Sequence, residues 1–131
     1  MNTARTYLFV PGDRPERFDK ALASGADAVV LDLEDAVSPE RKDAARATVQ
    51  ERLGSGDPRL VVRINDDSTA WFEADLACLP KAATVMLPKA ERAATIERLR
   101  AAGFTVLALI ESAPLAKALS KRSGLSPGTK R

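Results

Sequence analysis

Asp32-Leu33-Glu34-Asp35 places three carboxylates within four residues, directly after the apolar run Ala28-Val29-Val30-Leu31. Like charges this close raise one another's pKa and attract a divalent cation. The alternative is structural, with Asp32 capping the loop and the other two solvated. Arg63 stands in Leu60-Val61-Val62-Arg63-Ile64-Asn65, where a guanidinium inside an apolar strand must find an anion or a water-filled mouth. It can clamp a carboxylate or a developing oxyanion, or form an ion pair with a neighbouring acid. Glu111 closes the uncharged run from Thr105 to Ile110, a depth that calls for a metal or a cation beside it. Lys89, after Leu87-Pro88, is either a catalytic or phosphate-facing ammonium or a side chain that snorkels to solvent. Histidine is absent from all 131 residues. That excludes Ser-His-Asp and Cys-His nucleophile systems and any His-ligated zinc. Acid–base or metal chemistry falls to carboxylates, Lys, Arg or Tyr.

The elements that must hold these groups are legible from punctuation. Five short apolar runs (7–10, 28–31, 60–62, 83–87 and 105–110) each meet a polar or charged residue or a proline turn at their carboxyl end. Between them lie stretches with helical spacing. Asp13 as cap, Pro15 in the first turn and Gly25 as stop predict the first helix, with Phe18, Ala21 and Leu22 on one face. Ser38-Pro39-Glu40 opens a second, striped by Ala45, Val49 and Leu53 and stopped by Gly54. Ser68 to Leu79 predicts a third that buries Trp71, Phe72 and Leu76, and Ala90 to Ala102 a fourth with Ile96 and Leu99 inward. A fifth starts at Ser112-Ala113-Pro114. Apolar runs alternating with helices indicate parallel strands covered by helices, in folds whose ligands sit at the carboxyl ends of the strands. That edge would carry Asp32, Glu34, Asp35, Arg63, Asn65, Lys89 and Glu111. Periodicity admits two architectures: a five-stranded open sheet of the flavodoxin type, or five βα units of an eight-unit barrel.

Composition suits one soluble domain of ordinary hydrophobicity, 45% hydrophobic and 29% charged. The net charge of +2 is uneven. Residues 1–116 hold 15 basic and 18 acidic residues, hence −3, whereas 117–131 hold five basic residues and no acid, hence +5. The basic tail has no aromatic residue and reads as a solvated, irregular end rather than a nucleic-acid or membrane contact. Cys78 is the only cysteine, so no intrachain disulfide forms. With no signal peptide and no membrane-length apolar run, the expected location is the cytoplasm.

Leu8-Phe9-Val10-Pro11-Gly12-Asp13-Arg14-Pro15-Glu16-Arg17-Phe18-Asp19-Lys20-Ala21 resembles the opening of the citrate lyase beta-subunit and malyl-CoA lyase family. Ser24-Gly25-Ala26-Asp27, Leu31 to Val37, Val62-Arg63-Ile64-Asn65, Leu87-Pro88-Lys89 and Ile110-Glu111-Ser112-Ala113 follow in the family's order. The likeness runs over residues 4–116 and is similar to the HpcH/HpaI aldolase/citrate lyase superfamily. It implies a parallel α/β barrel of the TIM type, of which about five βα units are present. It also implies a trimer or hexamer that makes or breaks a carbon–carbon bond in an acyl-CoA thioester with Mg²⁺. On that reading Phe9, Arg14 and Lys20 touch the CoA part, Arg63 holds the oxo-acid end, Glu34 and Asp35 line the catalytic mouth, and Glu111 ligates Mg²⁺.

The chain also departs from the family pattern. The second metal ligand, an Asp in a Phe-Gly-x-x-Asp type segment after the sixth strand, has no counterpart here. From about Lys117 the likeness gives way to the basic tail, which suggests truncation or a shifted reading frame. A single carboxylate holds Mg²⁺ weakly. A non-catalytic half-barrel is therefore the alternative to a lyase. The rival from another class, a five-unit receiver domain, needs an acidic pair after the first strand and an Asp after the third. Pro11-Gly12 and Arg63 stand there instead.

Overall fold

The computed structural model describes residues 6–88 and 93–108. Five strands, β1 (Tyr7–Pro11), β2 (Ala28–Asp32), β3 (Leu60–Arg63), β4 (Thr84–Leu87) and β5 (Thr105–Ala108), form one sheet in the order β1-β2-β3-β4-β5, every neighbouring pair parallel. The connecting helices are α1 (Phe18–Leu22), α2 (Lys42–Leu53), α3 (Phe72–Ala77) and α4 (Ala93–Ala101). Sequential order decides between the two architectures the sequence allows. A flavodoxin-type or receiver-type sheet reverses direction at a switch point and has order 2-1-3-4-5, whereas a barrel wall is wound one way. The chain is barrel-type.

One-way winding puts all helices on one face, because successive crossovers of the same hand stack on the same side. The side chains agree. Val10, Val29, Leu31, Val62, Val85 and Leu87 pack in one core with Phe18, Ala45, Val49, Phe72 and Leu99 from the four helices. The alternate residues Ala28, Val30, Val61 and Met86 form a second, separate cluster on the opposite, inner face, joined by Tyr7 and Leu107. Period-2 alternation then fixes which side chains face inward at the strand ends. Asp32 and Arg63 continue the inner set of Ala28, Val30 and Val61. Their Cα positions are paired directly in the parallel register.

Several helix starts differ from the sequence reading. Asp13 does not cap: its carboxylate accepts from Arg41 Nε at 3.1 Å, and Pro15–Arg17 form a 3₁₀ turn before α1. A second 3₁₀ turn, Pro39–Arg41, precedes α2, and Ser38 there is extended with no side-chain capping bond. Gly54 is right-handed, and the left-handed turn comes at Gly56 with φ +76°. α3 begins at Phe72, not at Ser68, because Asp66 captures the amide and hydroxyl of Ser68, and its carbonyl takes the Thr69 hydroxyl at 2.8 Å. Such local bonds compete with the first helical turn. Residues 89–92 and 109–131, with Lys89, Glu111, the fifth helix and the basic tail, lie outside the described residues.

Gly12 closes the first βα turn where backbone meets backbone. Its amide donates to Asp32 O at 2.8 Å, and its carbonyl accepts the Thr48 hydroxyl. A Cβ there would stand 2.8 Å from Asp32 O and 3.0 Å from Val49 Cγ2. Gly12→Ala is therefore expected to cost about 1–3 kcal/mol, read by urea unfolding, since a main-chain oxygen must move. A loss below about 0.5 kcal/mol would show that the turn has slack.

Candidate active site at the strand ends

The inner-face alternation delivers an acid and a base side by side. Asp32, 1% exposed, accepts from Arg63 Nε at 3.0 Å and from Arg63 Nη2 at 2.6 Å, a bidentate pair. The same carboxylate caps the loop after β2, taking the Glu34 amide at 2.8 Å on Oδ1 and the Ala36 amide at 3.2 Å on Oδ2. Both structural alternatives raised by the sequence are thus present: Asp32 caps, and Arg63 has an acid partner. Arg63 has further neighbours. Its Nε lies 3.5 Å from Glu34 Oε1, and its Cζ stands 5.1 Å from the centroid of the Phe9 ring, which reaches across from β1 and is 36% exposed.

These contacts bring Phe9, Arg63, Glu34 and Asp35 into one cluster around buried Asp32. Arg14 and Lys20 are exposed, on the first βα turn and on α1. Burial pushes the Glu34 carboxyl above the usual range; Arg63 opposes that rise, and Asp35 and Asp32 add to it. Burial works against the Arg63 charge, but the bonds to Asp32 and the field of Glu34 and Asp35 outweigh it, so the guanidinium stays firmly charged. The set joins a fixed cation to a carboxyl that holds its proton more tightly than usual.

The three clustered acids do not form a cation site by themselves. Among the described residues no group of three His, Cys, Asp or Glu side chains can hold a metal ion. Asp32 spends its oxygens on Arg63 and two amides. Glu111, the metal ligand implied by the sequence, lies outside the described residues. Burial, with Asp75 adding to it, pushes the Cys78 thiol up to about 11, away from the thiolate form that a nucleophile needs.

Four residues that the sequence reading left out of the site, Lys42, Arg46, Trp71 and Asp75, pack behind the cluster with Asn65. Asp75, fully buried on α3, accepts from Arg46 Nε at 2.9 Å, from the Asn65 amide at 2.8 Å and from Asn65 Nδ2 at 2.7 Å. Asn65 Nδ2 also donates to Leu33 O at 2.9 Å. Lys42 Nζ stands 4.8 Å from the Trp71 ring. A cavity of about 310 Å³ between the loops after β2 and β3 is walled in part by Glu34, Asp35, Lys42, Asn65 and Trp71. A usable signal lay in the helical stripes. Lys42 shares the stripe of Ala45 and Val49, and Asp75 that of Phe72 and Leu79.

A parallel sheet wound one way, with an arginine and acids gathered at its carboxyl edge, defines a barrel-type α/β protein, a class whose sites lie at the strand ends. The chain belongs to the HpcH/HpaI aldolase/citrate lyase family, whose model matches residues 5–114. It is 51% identical over 110 residues to a citrate lyase subunit beta-like protein of Mycobacterium tuberculosis (strain CDC 1551 / Oshkosh), covering 82% of this chain and 38% of that one. Against an L-malyl-CoA/beta-methylmalyl-CoA lyase of Cereibacter sphaeroides (strain ATCC 17029 / ATH 2.4.9) it is 37% identical, covering 89% and 37%. The crystal structure of CitE from Mycobacterium tuberculosis in complex with magnesium, acetoacetate and coenzyme A superposes with a TM-score of 0.73 at 47% identity, covering 86% of this chain and 42% of that one. The chain therefore spans about two fifths of the length of these relatives.

The raised Glu34 pKa has a sign that can be tested. A carboxyl whose folded pKa lies above its unfolded value contributes stability that is lost as pH rises through the folded value. Glu34→Gln, fixed in the neutral form, is expected to gain stability over the wild type as pH rises from about 4 to about 7. Urea unfolding across that range checks it. A constant difference would mean that Glu34 titrates alike folded and unfolded.

Proposed function

We propose that this chain carries the substrate-binding mouth of a Mg²⁺-dependent carbon–carbon lyase acting on an acyl-CoA thioester of the citryl-CoA or malyl-CoA kind. The supporting observation is the Arg63 guanidinium held at the strand ends between Asp32 and Glu34 and against the Phe9 ring, in a chain of this family. In this reading Arg63 binds the carboxylate that leaves with the oxo acid and balances negative charge during cleavage. Glu34, with Asp35 beside it, relays the proton: as a carboxylate it accepts the substrate hydroxyl proton, and as a carboxylic acid it returns that proton to the thioester fragment. The substrate hydroxyl loses its proton as the carbon–carbon bond breaks. The bonding pair passes to the thioester fragment, which takes up a proton to become acetyl-CoA, leaving an oxo acid. Phe9, Arg14 and Lys20 contact the CoA part.

Mg²⁺ belongs to the proposal with Glu111 as its ligand, and the support is that relatives from Mycobacterium tuberculosis were solved with magnesium. When bound, the ion polarises the substrate oxygen. Among the described residues no group of three His, Cys, Asp or Glu side chains stands ready to hold the ion. A second reading, a non-catalytic half-barrel or subunit, rests on the sequence, whose 131 residues hold no Phe-Gly-x-x-Asp segment for a second metal ligand. A homo-oligomer, trimeric or hexameric, working in the cytoplasm completes the proposal on the family resemblance. Sedimentation as a monomer would contradict the assembly.

A thermal melt with and without millimolar Mg²⁺ and malyl-CoA or citryl-CoA separates the readings. The lyase reading expects a higher midpoint, corresponding to about 2.7 kcal/mol of stabilisation at a hundred times Kd, together with release of acetyl-CoA. Arg63→Met should then lower the cleavage rate by about 10²- to 10³-fold. A melt that shifts without product favours a binding but non-catalytic subunit, and no shift contradicts the lyase reading and leaves the non-catalytic half-barrel.

A further inference from the structure

Lys42 is the first residue of α2 and lies on the stripe that buries Ala45 and Val49. It is 4% exposed, at a position where an unneeded lysine would extend to water. Its ammonium turns inward instead, donating to Leu33 O at 2.8 Å and Glu34 O at 3.0 Å, and standing over the Trp71 ring. Leu33 O takes a second bond from Asn65, which Asp75 fixes. The loop after β2 is thus held from two sides: Asp32 accepts its amides, and Lys42 and Asn65 donate to its carbonyls.

We propose that Lys42 is a positioning residue for the acidic mouth, latching the carbonyls of Leu33 and Glu34 so that the Glu34 carboxylate stays against Arg63. The proposal deepens the lyase reading and rests on it only in treating Glu34 as part of the working site. Removing the ammonium strips Glu34 O of a charge-assisted bond while leaving the sheet and both apolar clusters intact. Burial lowers the Lys42 pKa, opposed by Asp75, Asp32 and Glu34, with Arg46 adding to the lowering. The acids nearby therefore favour the charged form that makes the latch.

Amide hydrogen exchange on the full 131-residue chain tests this. In Lys42→Met the Glu34 and Ala36 amides should exchange at least about tenfold faster, with the amides of Val30, Val62 and Val85 unchanged. Lys42→Arg should restore the slow exchange. Uniform acceleration across the sheet, or no change at Glu34 and Ala36, would overturn the proposal, since a merely structural lysine gives the first and an idle one the second. If Lys42→Met does not fold, the wild type supplies the test. Scalar coupling from Lys42 Nζ to the Leu33 and Glu34 carbonyl carbons supports the latch, and a freely exchanging ammonium without coupling overturns it. These readouts use no ligand, so a wild type that fails to bind an acyl-CoA thioester with Mg²⁺ counts against the lyase reading separately.

Discussion

The buried carboxylate of Asp32 is the constraint on which the strand-end architecture depends. A carboxylate 1% exposed is tolerated only when its lone pairs are filled. Here Arg63 fills them in bidentate fashion and two loop amides complete the set. The main-chain carbonyl of the same residue holds Gly12 in the first βα turn. One residue thus ties together the ends of β2 and β3 and the turn after β1. A buried pair of this kind gives modest net stability over an apolar substitute, but losing one partner is expensive. Its value is geometric: it fixes a guanidinium at the mouth while keeping it charged.

From that pair the site extends outward in two layers. In front, Glu34 and Phe9 border Arg63, and burial with neighbouring acids pushes the Glu34 carboxyl up. Behind, Asp75, Arg46 and Asn65 form a polar chain that ends on Leu33 O, where Lys42 joins it. Apart from Phe9 in β1, both layers arise from the loops after β2 and β3 and from the N-terminal parts of α2 and α3. In a barrel-type fold these are the places where the chain can vary without disturbing the sheet.

Much of this was legible in the sequence because its signals are local. Apolar runs ending at Asp32 and Arg63 announced parallel strands and a polar rim, and the ordered family motifs pointed to a one-way barrel that periodicity alone left open. The helix starts were less legible. Asp13 looked like a cap, yet Arg41, far along the chain, claims it. Asp66 delays α3 through its own loop. The rear network is not legible from motif or strand-end position, since Lys42 and Asp75 stand inside helices, away from the apolar runs that mark the rim. Their spacing on the buried stripes was the available clue, but their partners depend on loops that meet only in the folded chain.

The central claim is that Asp32 and Arg63 act as one coupled unit, and a double-mutant cycle addresses it most directly. Unfolding free energies of the wild type, Asp32→Asn, Arg63→Met and the double variant give the interaction term. The account predicts a coupling of about 2–4 kcal/mol, with the double variant far less damaged than the sum of the singles. Additivity within about 0.5 kcal/mol would contradict it and reduce the pair to two independent groups.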